Sequence, residues 1–70
     1  MNDSDPLRRF AFAHLPDGTP REVAVDFNDT ARSLLVILAD TPARTEALNA
    51  LADARNVAMK AARADDAATR

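Results

Sequence analysis

The chain is predicted to be all-α: an antiparallel two-helix hairpin with a short N-terminal arm, assembling as a homo-oligomer. Three observations predict it. Thr19-Pro20-Arg21-Glu22 opens a segment whose apolar residues recur at three- and four-residue steps, and Asp40-Thr41-Pro42 opens a second one after a short break. The chain is also only 70 residues long and has no cysteine, so neither size nor disulfides can hold an isolated pair of helices together.

Residues 1–6 are polar and read as a disordered start, and residues 7–64 form the one expected domain. Leu7 to Leu15 alternates apolar and polar residues only in part; it is read as an extended arm, with strand and short helical turn both open. Pro16-Asp17-Gly18 is a turn signal, proline fixing φ and glycine accepting positive φ. Thr19 then serves as N-cap, Pro20 as first helical residue and Glu22 as the partner in a capping box.

Val23, Phe27, Ala31, Leu34 and Leu38, widened by Leu35 and Ile37, form the apolar stripe of a first helix over 20–39. The run Leu34 to Leu38 would also suit a buried strand, but the capped helical pattern leading into it favours helix. Pro42 biases Thr41 away from the α region and restarts the helix, with Asp40 or Thr41 as cap. So short a connection makes the two helices antiparallel neighbours.

The second helix is expected over 42–63, with Ala47, Leu48, Leu51, Ala54, Ala58 and Ala61 on one side. Such a seam of small residues brings helices close, within one chain or between chains. Residues 65–70 carry no large apolar group and are expected to fray.

The hydrophobic content of 47% overstates the core, because many of those residues are alanines. A lone hairpin leaves one side of each helix wet, so burial against copies of the same chain is the simplest remedy. A net charge of −2 argues against binding polymeric nucleic acid. No apolar run reaches the about 18 residues that span a bilayer, and the polar N-terminus does not read as a signal peptide; the expected compartment is the cytoplasm.

An enzyme is not expected. There is no cysteine nucleophile, Gly18 is the only glycine, and His14 has no second histidine with which to bind metal, so no metal site and no cofactor are expected. Asp17 lies three residues from His14 and could pair with it, but the preferred reading is that His14 caps or packs near the turn. The carboxylates Asp26, Asp29, Asp65 and Asp66 read as solvated charges.

The basic residues Arg21, Arg32, Arg44, Arg55, Lys60 and Arg63 spread over both helices and read mostly as solvated. An antiparallel hairpin brings Arg63 beside the start of the first helix and the arm with Phe10, Phe12 and His14. Aromatic rings and guanidinium groups at one end can stack a nucleobase and neutralise a phosphate. Alternatively, both phenylalanines simply cover the hairpin's apolar face.

The segment from Ala47 to Ala58 (ALNALADARNVA), followed by Met59 to Arg63, resembles the second helix of the phage hairpin-domain proteins that block the CBASS and Thoeris defences. Phe10-Ala11-Phe12-Ala13-His14-Leu15-Pro16 looks like the aromatic–X–aromatic–His–X–Pro entry of one branch of that family, and Ala31-Arg32-Ser33-Leu34 like the middle of its first helix. The likeness covers most of 10–63.

The resemblance implies an oligomeric sponge that takes up cyclic dinucleotides or trinucleotides between protomers and silences the immune effector they would activate. A hexamer built from dimers is one assembly consistent with it. Phe12 takes the base-stacking place and Arg63 the terminal arginine place. Asn28 stands where the family carries a basic residue on helix one, so the charge falls to Arg32, one turn further on. The expected ligand-binding residues are therefore Phe12, His14, Asn28, Arg32 and Arg63. The alternative is a helical protein–protein interaction module without a nucleotide ligand.

Overall fold

The computed structural model describes residues 5–68; the expectations for residues 1–4 and 69–70 lie outside them. Those residues are all-helical, without a strand: a 3-10 turn, Arg8–Phe10, then helix α1, Thr19–Ile37, and helix α2, Pro42–Ala68. The arm therefore takes the helical-turn option at Arg8–Phe10 rather than staying extended throughout. Its first turn is closed by bonds from the Arg8 amide to the Asp5 carbonyl (3.1 Å) and from the Phe10 amide to the Leu7 carbonyl (3.0 Å).

Helix α1 starts one residue earlier than expected, and its N-cap is Gly18, not Thr19. The expected capping box does not form: no side chain caps the helix, and the Glu22 amide bonds to the Gly18 carbonyl at 3.2 Å. Gly18 has φ 146°, a conformation that L side chains rarely adopt, and this lets the arm turn into the helix. α1 ends at Ile37, where Leu38 becomes extended while its amide still reaches the Leu34 carbonyl at 2.9 Å.

Of the two cap candidates for α2, Thr41 is used: its hydroxyl accepts from the Arg44 amide at 3.3 Å, and its carbonyl accepts from the Arg44 and Thr45 amides. Arg44 closes the connection, pairing with Asp40 at 3.0 Å and donating to the Leu38 carbonyl at 3.4 Å. α2 continues through Asp65 and Asp66 to Ala68, past the end expected at residue 63. The reason lies at the other end of the chain: a Cβ built on Gly18 would lie 3.7 Å from Asp66 Oδ2, so this carboxylate sits at the start of α1. A helix N-terminus favours negative charge there.

The core is small. Phe10, Ala31, Leu48 and Ala52 form its buried centre, flanked by Leu7, Phe27, Leu34, Leu35 and Leu51. Phe10, 1% exposed, is the largest buried side chain among the described residues, so a ring from the arm fills the space between the two helices. The buried faces match the expected ones in part: Ala31 and Leu48 are buried, and Phe27, Leu34, Leu35 and Leu51 pack against the core. On α1, Ala24, Asn28 and Ala31 are buried, whereas Val23, Phe27 and Leu34 are half-buried, and Leu38 and Ile37 are exposed. On α2 the buried residues are Leu48, Ala52, Met59 and Ala62; Ala54 and Ala61, assigned to the seam from their spacing, face solvent.

The molecule is elongated, 43 × 23 × 18 Å, and its radius of gyration of 13.2 Å exceeds the roughly 11 Å of a compact chain of this length. No described helix is long and apolar enough to cross a membrane.

Candidate functional site

The arm is held by polar groups from both helices. Asn28 of α1 donates from Nδ2 to the Phe10 carbonyl at 3.2 Å, and Arg55 of α2 donates from Nη2 to the next carbonyl, Ala11, at 2.8 Å. Arg9 reaches Asn49 at 3.2 Å and Asp53 at 3.5 Å, tying the 3-10 turn to α2. Further along, Arg21 donates to the Leu15 carbonyl at 2.7 Å, and its guanidinium carbon lies 5.7 Å from the centre of the Phe12 ring. The cation and the ring share a cation–π geometry.

Three of the arginines expected to be solvated therefore act as staples: Arg21 and Arg55 hold the arm, and Arg44 holds the connection between the helices. Each satisfies a backbone carbonyl that has no helical partner. Two polar atoms beneath the arm, Asn28 Oδ1 and Arg55 Nε, are buried without a hydrogen-bond partner among the described residues.

The five expected binding residues occupy different environments. Phe12 is half-buried beside Arg21, and His14 is exposed two residues further along the arm. Asn28, expected to face a phosphate, points inward: it is only 8% exposed, and its amide is engaged with the Phe10 carbonyl. The short amide side chain fits beneath the arm, where a lysine or arginine at the same position would bury a charge. Arg32 is exposed and lines a shallow hollow with Ser33, Val36 and Ile37, while Arg63 is exposed on α2. The contacts above bring none of the five against another within one chain.

Two further hollows differ in charge. One, at the start of α1, is lined by Asp17, Gly18, Arg21, Glu22, Val25 and Asp26, where three carboxylates face one guanidinium. This surface repels an anion. The other lies at the opposite end of the arm and brings Arg8, Arg9 and Arg44 together with Asp5 and Asp40. Positive charge is in excess there, which suits a phosphate better.

The Arg8-Arg9 pair was absent from the expected site. The signal was available in the sequence, as two adjacent arginines directly before the aromatic arm. What the sequence hid was that the arm runs back along the helices and delivers them to Arg44.

No protein-family model, curated protein or solved structure matches this chain. Among the described residues no group of three or more histidine, cysteine, aspartate or glutamate side chains could hold a metal ion.

Proposed function

We propose that the chain is an antiparallel helical hairpin that self-associates and sequesters cyclic dinucleotides or trinucleotides in the cytoplasm, without catalysis, so that an immune effector dependent on them stays silent. The observation that carries this reading is the Phe12–Arg21 pair: a half-open aromatic ring with a guanidinium 5.7 Å from its centre, at the end of the arm. An aromatic face stacks on any base, and because three carboxylates share a hollow with Arg21, the phosphates attached to that base are left to Arg32 and Arg63.

Arg32 and Arg63, both exposed, are free in space to meet ligand phosphates across a junction between copies, and exposed His14, two residues further along the arm than Phe12, adds a hydrogen-bonding ring. Asn28 serves this site indirectly, by fixing the arm that presents Phe12. Self-association is supported by the small core and by apolar side chains left in water, Val36 at 85% and Ile37 at 74% exposure.

These same exposed residues favour a second reading, a helical module that docks a protein partner and binds no nucleotide. Thermal unfolding with a panel of cyclic di- and trinucleotides separates the two, since a ligand held only by the folded state raises its melting temperature. The sponge reading expects a rise at micromolar ligand that Phe12→Ala and Arg32→Ala each reduce. A panel without any shift would leave the docking module as the surviving reading.

A further inference from the structure

The outer surface of α2 carries a regularity that the hairpin does not use. Ala47, Ala50, Ala54, Val57, Ala61 and Ala64 alternate at three- and four-residue steps, the spacing of a coiled-coil seam. This row is not the helix's buried face, which runs through Leu48, Ala52, Met59 and Ala62. Apart from half-buried Ala47 the row faces solvent, with Val57 67% exposed. An isolated chain has nothing to place against it.

We propose that this face pairs with the same face of a second copy, the two α2 helices antiparallel about a two-fold axis and centred on Ala54 against the partner's Val57. The proposal rests on the self-association inferred above and not on nucleotide binding. In this register Ala50 meets the partner's Ala61 and Ala47 meets the partner's Ala64, so every layer is made of small or β-branched groups and the backbones approach closely.

Charge complementarity selects this occupant and this orientation. On one flank Asp53 falls opposite the partner's Lys60, and the two-fold axis repeats the pair. Lys60 is exposed, and Asp53 is 79% exposed and held only by the 3.5 Å contact with Arg9. On the other flank Leu51 falls opposite the partner's Ala58, both already half-buried, and Arg44, bonded within its own chain to Asp40, falls opposite the partner's Asp65. A parallel pairing would keep one opposite-charge contact, Lys60 with the partner's Asp65, where the antiparallel one makes two, and it would set Asp53 against the partner's Ala58 and Glu46 against the partner's Leu51. It would also align the two helix dipoles unfavourably. The 27 residues of α2 give a contact line of about 40 Å, long enough for small side chains to add up.

Charge reversal and cysteine pairing test the inference. Asp53→Lys should weaken self-association at least about tenfold in sedimentation equilibrium, because it places two lysine pairs across the axis. Lys60→Asp should do the same, and the double variant should recover the wild-type value, with circular dichroism confirming helix in all three. The chain has no native cysteine, so mixed Ala50→Cys and Ala61→Cys copies should oxidise to the heterodimer in preference to either homodimer. Homodimeric disulfides would overturn the antiparallel register. A wild-type multimer that neither forms the mixed disulfide nor responds to the charge reversals would place the contact on another face, overturning this inference while self-association stands. A wild-type monomer would overturn both.

Discussion

Asn28 decides how the arm is held. Its Nδ2 donates to the Phe10 carbonyl beneath the arm, and Phe10 is the ring that fills the core. Asn28→Ala leaves that carbonyl without its donor and should destabilise the fold by about 1–3 kcal/mol in urea unfolding. Gly18 is the second critical residue. Its φ of 146° strains any side chain, so Gly18→Ala should cost about 1–3 kcal/mol even though the nearest carboxylate oxygen, on Asp66, leaves room for a methyl group at 3.7 Å. The two variants separate contact from conformation: the first loses a bond and the second gains only strain. Gly18 was legible from Pro16-Asp17-Gly18 as a turn residue. Asn28 was not, because its role depends on which residue of the arm lies over it.

Among the elements, the helices themselves were readable and their rotation only in part. Pro20 and Pro42 mark both starts within a residue, and the apolar steps between them set the lengths of α1 and the connection. On α2, however, alanines offer more than one row at three- and four-residue spacing. Leu48 is buried as its spacing indicated, but the buried row continues through Ala52, Met59 and Ala62 instead of Ala54 and Ala61. An alanine weighs too little in the periodicity to tell which row turns inward.

The arm behaves as a third element, and Arg55 is its tie to α2. Arg55→Ala should leave both helices intact by circular dichroism while hydrogen exchange quickens at the Phe10 amide, since only the arm loses a bond. Exchange that quickens equally across α1 and α2 would instead make the arginine part of the common core. Of the candidate binding residues, Phe12 and His14 both belong to this arm, Phe12 half-buried and His14 exposed; the cation that reaches the ring is Arg21, which spacing alone did not single out.

At the scale of the whole molecule, one chain buries little. Seven buried apolar side chains among the described residues, four of them alanines, and a body 43 Å long leave much of both helices in water, including Val36, Ile37 and Val57. Under the proposed self-association, copies that cover these surfaces would supply the missing burial and create junctions where a ligand would be held. Exposed Arg32 and Arg63, which no contact joins within one chain, would share a role only at such a junction. The measurement that tests this most directly is the melting temperature of the purified chain as a function of its own concentration. Association coupled to folding predicts that it rises steadily with concentration. A sharp transition at one temperature, unchanged on dilution and given by a monomer throughout, would contradict it.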